Sequence, residues 1–235
     1  MGIIKPRKRK KDPAISGHAI MIMPKRDLRC LIKTFDVRDC GEQNGLYSLY
    51  LTKNNTAICG PFLGAPQAVM GLEKLIVLGA KKIWVFSWCG SLKEDLRIGD
   101  VFLPRYAISE EGTSQHYPIS KEAETDPSMR QKIKDALIQE GLFFVEGTIC
   151  TTDAPYRETK EKIDEYQRRG AFAIDMEMSA LMTVANFRSV SIAGAFVVSD
   201  ELYSKKWVCG FSSSKLKDTS KRVLNILLKL ADKGY

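Results

Sequence analysis

Four residues between positions 171 and 201 have the types and spacing to do chemistry: Asp175 and Glu177, one residue apart, and the adjacent pair Ser199 and Asp200. An ionised carboxylate accepts hydrogen bonds only, so its two oxygens can hold a pair of neighbouring hydroxyl groups. A carboxyl that keeps its proton can instead deliver it to a departing group. The surrounding residues say where these groups stand. Residues 171–175 form a short apolar run, Met178, Leu181, Met182 and Ala185 then recur at helical spacing, and Asn186 breaks the pattern. Residues 189–198 are small and β-branched, as in a strand buried on both faces of a parallel sheet. Strand, helix and strand in that order place the four residues at carboxyl ends of strands, where ligands collect in open α/β sheets. An acid at a helix start can also act only as a cap or complement the dipole, and spacing leaves both roles open for Asp175 and Glu177.

Composition bounds the setting. The 235 residues suit one large domain, and no uninterrupted apolar run approaches the roughly 20 residues that span a bilayer. No charged, apolar, small-residue series marks a secretory signal at the start. Six cysteines without a CxxC pair, and only two histidines, argue against a zinc site or a disulfide scaffold and predict free thiols in a reducing cytoplasm. The formal charge of +8 is concentrated at the start, where six Lys or Arg fall among the first eleven residues. Residues 1–14 are therefore expected to be a solvated, disordered basic tail, and residues 15–235 the folded domain. Such a tail could be drawn to nucleic acid or membrane phosphates, but nothing aromatic interleaves it, so a nucleic-acid partner is the least favoured expectation.

The rest of the chain alternates strand and helix patterns, which predicts an α/β fold. Residues 17–23 read as a first strand, 24–27 as a polar loop, and Leu28 onward as a helix carrying Arg29. Residues 57–61 read as a strand and 65–79 as an amphipathic helix with Val69, Leu72, Leu75 and Ile76 on one face. Residues 82–87 form a buried strand that runs into Trp88, Cys89, Gly90 and Ser91, where glycine permits close backbone approach to a ligand. A helix over 126–140 starts at an Asp-Pro signal, 143–151 is a strand, and 215–233 is a helix with an apolar stripe through Leu216, Val223, Ile226, Leu227 and Leu230.

The segment IDMEMSAL followed by VVSDE resembles the nucleoside phosphorylase and nucleosidase family, whose pattern is an acid, Met and Glu before a helix and Ser, Asp after the next strand. The resemblance runs from about residue 17 to the end of the chain. It implies a single three-layer α/β domain, a central twisted mixed sheet flanked by helices, assembled as a homodimer or a homohexamer. It implies no metal and no organic cofactor, with inorganic phosphate as co-substrate. By the same resemblance IMPKRDLR is the first phosphate loop, with Arg29 at the phosphate-binding arginine and Lys25 replacing the family glycine. Arg38 matches an arginine lent to the neighbouring subunit's phosphate site, and Ser87 falls in the phosphate-binding strand. Met176 would lie under the sugar and Glu177 would hold the ribose hydroxyls. Cys89, Gly90, Tyr156, Asp175, Ser199 and Asp200 would surround the base, and His116, in a flexible loop over residues 109–117, would approach the sugar.

Breaking an N-glycosidic bond builds positive charge on the sugar and negative charge on the leaving base. Glu177 suits the first as a fixed anion, and Asp200 suits the second as an acid that donates to N7 of a purine. Departures from the family touch the acceptor. The strand arginine of phosphorylases falls on Val85, or on Trp84 with a one-residue slip, and Trp88 stands at a Ser or Thr position. Arg29, however, occupies the place where the family hydrolases carry a glutamate that activates water. The resemblance thus implies a nucleoside phosphorylase giving free base and ribose 1-phosphate, purine favoured over uridine because the pyrimidine clamp is replaced by Thr159 and Glu161. The alternatives are a nucleoside hydrolase of the same fold, and a non-catalytic nucleoside-binding protein motivated by Trp88.

Overall fold

In the computed structural model the described residues are 3–43, 45–120 and 122–232. The first two residues of the expected tail and Lys233, the end of the expected last helix, lie outside them. Four runs of small and β-branched residues make a parallel centre: β1 (His18–Ile22), β4 (Ala57–Gly60), β5 (Lys82–Ser91) and β9 (Ser191–Glu201), in the order β4-β1-β5-β9. β2 (Arg38–Gln43) and β3 (Tyr47–Leu51) extend it as an antiparallel hairpin on β4. On the other side β9 pairs with β6 (Val101–Glu110), β6 with β7 (Phe144–Thr152), β7 with β8 (Ala171–Asp175), and β8 returns to pair with β5. Five strands of this mixed sheet therefore close into a ring. The short β10 (Val208–Cys209) lies antiparallel on the end of β9.

Successive side chains of a strand point to opposite faces, and helices cover both. Val85, Cys89, Phe196 and Val198 pack on one side with α2 (Ala65–Leu78) and α5 (Met178–Phe187). Trp84, Phe86, Ala195 and Val197 pack on the other with α1 (Lys25–Thr34), α3 (Pro127–Gln139) and α6 (Ser214–Asp232). α4 (Lys160–Arg168) leads into β8, capped by Thr159. It buries only Ile163 and Tyr166, too few apolar positions to announce it in the sequence.

Two boundaries differ from the sequence pattern for local reasons. α1 begins at Lys25 rather than Leu28, because the carbonyl of Pro24 accepts the N–H groups of both Asp27 and Leu28. β9 begins at Ser191 because Ser189 turns the chain at φ 55°. α5 is buried on all sides from Met178 to Ala185, since α2 and strands β6, β7 and β9 enclose it. Among the described residues ahead of β1 there is no helix or strand. Asp12 there accepts from Arg9 N at 2.6 Å and pairs with Lys74 of α2. All six cysteines are free, and no helix among the described residues is long and apolar enough to cross a membrane.

β5 continues to Ser91 because its end is held twice. Gly90 pairs with Ile174 of β8 and, across a bulge at Ser199, with Asp200 of β9. A Cβ on Gly90 would stand 2.6 Å from Leu202 Cδ1 and 3.0 Å from Ile174 Cγ2. Gly90→Ala should therefore destabilise the fold by about 1–3 kcal/mol, measured as a lower denaturation midpoint, and a neutral result would mean that β8 and β9 separate freely here.

Candidate functional site

The N-terminus of α5 is fixed by Asp175, the last residue of β8. Its Oδ2 accepts from Glu177 N at 3.1 Å and Met178 N at 2.7 Å, while Thr151 Oγ1 of β7 donates to Oδ1 at 2.6 Å. Thr151 Oγ1 in turn accepts from Ser179 N at 2.9 Å. Of the two roles that spacing left open, Asp175 takes the cap. It lines the site from below, as the support of a helix start rather than as a group free to meet a base. Glu177 occupies the N-cap position without capping, and its Oε1 accepts from Gly64 N at 2.6 Å across the cleft. Glu177 is 4% exposed, and burial followed by the negative charge of Asp175 pushes its carboxyl well up. Met176 beside it is half-buried.

The second acid group stands at the end of β9. Ser199 Oγ donates to Asp200 Oδ1 at 2.6 Å and lies 3.2 Å from the carbonyl of Cys89. Asp200 Oδ2 accepts from Trp207 Nε1 at 2.9 Å. Cys89, completely buried, feels both Asp175 and Asp200, and with burial these charges push its thiol far up. The loop Cys89-Gly90 thus separates the two acid groups, with Glu177 on the side of α2 and Asp200 on the side of β10.

Four further residues reach this region without a signal strong enough to single them out in the sequence. Glu158 follows the short turn after β7 and faces Asp200, so that burial and the charge of Asp200 push its carboxyl up to about 7. Trp207 and Phe211, in the segment after β9, meet edge to face, and Phe211 stacks on Trp88 with ring centroids 5.9 Å apart. Arg26, in the first turn of α1, lies 4.4 Å over the Trp88 ring and donates to the carbonyl of Phe211 at 3.1 Å. Only the aromatic pair in an otherwise polar loop could have drawn attention beforehand.

The other expected residues divide. Ser87 is buried and shares the face of Val85 and Cys89. Arg29 is exposed on α1, one turn beyond Arg26. Arg38 is exposed on β2, the outermost strand, and does not meet the acids within one chain. Tyr156 is not brought to the base position: the turn Pro155–Arg157 projects it outward, 101% exposed, while Glu158 turns in. His116 is exposed in a turn at Ser114–His116. The loop before it is held down rather than free, because Glu111 accepts from Ser109 Oγ, Thr113 N and Ser179 Oγ of α5. Trp84 and Val85 are both wholly buried, and β5 carries no arginine.

Residues 26–231 match the family model described as the phosphorylase superfamily. The chain is 26% identical over 176 residues to the guanosine phosphorylase of Halorubrum lacusprofundi, covering 73% of each chain. Its fold superposes on the purine nucleoside phosphorylase of Toxoplasma gondii in complex with immucillin-H at TM-score 0.85 and 22% identity, over 98% of this chain and 95% of that one. It also superposes on the AMP nucleosidase of Bacteroides thetaiotaomicron at TM-score 0.72 and 22% identity, over 90% and 89%. With the family model matched from α1 to α6, the chain belongs to the phosphorylase superfamily.

Proposed function

We propose that this pentosyltransferase cleaves the N-glycosidic bond of a purine nucleoside with inorganic phosphate, giving free base and ribose 1-phosphate. The observation that carries the proposal is the placement of two buried or half-buried carboxylates, Glu177 and Asp200, at the carboxyl ends of β8 and β9, the two strands that flank the end of β5 at Cys89 and Gly90. Glu177, freed from capping by Asp175, presents its carboxylate to the two vicinal hydroxyls of the sugar over Met176. A fixed anion there favours the positive charge that develops as the bond to the base lengthens. A phosphate oxygen forms the new bond to C1′, the electron pair of the old bond leaves with the base, and the base takes a proton at N7 from the Asp200 side. Glu158 shares that side, and burial and the charge of Asp200 push its carboxyl up.

Phosphate would be held by Arg29 and by the backbone and hydroxyl of Ser87, with Arg38 serving a neighbouring copy. Assembly as a homodimer or homohexamer in the cytoplasm is part of this proposal. Its support is the exposed outer strand β2 and the exposed Leu46 and Leu63, joined through Gln67, which bonds to Leu46 O and Leu63 N. No metal or organic cofactor enters the scheme. One observation favours a second reading, hydrolysis: the burial of Trp84 and Val85 leaves β5 without an arginine. A nucleoside-binding protein without turnover is the third, since Trp88 fills a place on the acceptor side.

The decisive experiment incubates the purified protein with inosine, guanosine, adenosine, uridine and methylthioadenosine, with and without phosphate. Base release that requires phosphate and yields a sugar 1-phosphate is expected for a purine. Release without phosphate would establish a hydrolase, and binding without release a binding protein. Glu177→Ala should lower kcat/KM by roughly 10²–10³-fold. Asp200→Ala should lower it by roughly 10²–10⁴-fold, and unchanged rates in either variant would remove that residue from the mechanism. The proton on the Asp200 side must be present for transfer, and Glu158 holds one below about 7 and loses it above. The rate should therefore fall as pH rises through that value, and Glu158→Gln should flatten this limb of the profile. A limb that persists unchanged in the variant would assign the titration elsewhere.

A further inference from the structure

We infer that Arg26 is the phosphate-holding cation of the acceptor subsite, replacing from α1 the arginine that β5 lacks. The assignment rests on the phosphorolytic reading above. β5 ends beside the sugar position, yet Trp84 and Val85 are wholly buried among apolar side chains, so a positive charge must come from another element. α1 begins immediately after β1, whose strand end adjoins that of β5, and its first turn carries Arg26 across the mouth of both. The guanidinium carbon lies over the Trp88 ring, 4.4 Å from its centre, and Phe211 stacks on Trp88 at 5.9 Å. Contact with an indole ring is favourable for a guanidinium, whose N–H edge carries its hydrogen-bond donors.

That edge is only partly used. Nη1 donates to the carbonyl of Phe211 at 3.1 Å, while Nη2 is buried without a hydrogen bond. The group nearest Nη2 is Asp27, whose carboxyl lies 3.5 Å away, beyond good hydrogen-bonding distance, and whose Oδ2 is itself buried and unbonded. Burial raises the Asp27 carboxyl from the usual carboxylate range, and the neighbouring guanidinium offsets this only in part. Trp88 Nε1 is a second buried donor without a partner in the same stack. Two unsatisfied donors beside a fixed cation are costly unless an acceptor arrives, and a phosphate oxygen is an acceptor of the right charge. Arg29, three residues on, projects from the same side of α1 and completes an arginine pair. Trp88, which looks like an obstruction in the sequence, becomes the platform that positions the cation.

The test is steady-state kinetics with phosphate as the varied substrate on the full chain and on Arg26→Ala, Arg26→Gln and the control Lys33→Ala, an exposed residue in the last turn of α1. Arg26→Gln keeps a long polar chain on Trp88 and guards against a folding defect. Both Arg26 variants should raise KM for phosphate by about 10- to 100-fold and move KM for the nucleoside less than about threefold, with Lys33→Ala near wild type. Added phosphate should also raise the thermal midpoint of the wild type and not of Arg26→Gln. An unchanged KM for phosphate in both Arg26 variants, with a wild type that requires phosphate, would overturn the assignment and leave phosphorolysis standing. Base release by the wild type at full rate without phosphate would overturn phosphorolysis and the assignment together.

Discussion

The hydrogen bonds that hold the start of α5 against β7 and β8 are the constraint from which the site follows. A helix leaves its first N–H groups without intrahelical partners, and an acidic side chain nearby usually turns back to meet them. Here Asp175 meets two of them and Thr151 a third. Glu177 is thereby released from the duty its position would otherwise impose, and it reaches 2.6 Å from Gly64 N at the head of α2. One carboxylate anchors the helix so that the next can face a ligand.

That arrangement concentrates negative charge where water is scarce. Burial pushes Glu177 and Glu158 up, with the charge of Asp175 adding to the first and that of Asp200 to the second, and Asp200 shares its two oxygens between Ser199 and Trp207. A buried anion without a counter-ion is costly to the fold, and the cost is recovered when a ligand brings positive charge or hydroxyl donors.

The acceptor side is built from different material. Trp88, Phe211, Trp207 and Arg26 form a continuous stack from α1 to the segment after β9, ending in the indole N–H on Asp200. The same stack touches both Arg26 and Asp200.

Much of this was legible in the amino-acid order because it depends on local pattern. The alternation of strands and helices, the buried character of β9, the Asp126 cap of α3, and the placing of Asp175, Glu177, Ser199 and Asp200 at strand ends all follow from side-chain period and size over ten or twenty residues. The closure of β5, β9, β6, β7 and β8 into a ring does not, because pairing of β5 with β8 joins segments some eighty residues apart. Nor does the division of labour between Asp175 and Glu177, since chemically alike acids are told apart only by which N–H groups each meets. Tyr156 and Glu158 sit two positions apart in one turn, and backbone direction alone sends the ring to solvent and the carboxyl inward. Arg26 and Trp88 are distant in the chain, and only the packing of α1 over the end of β5 makes them one unit. The sequence by itself determined which chemistries were at hand and on which elements they rode. The tertiary structure decided which groups meet, because contact between distant segments depends on packing geometry that no local period encodes.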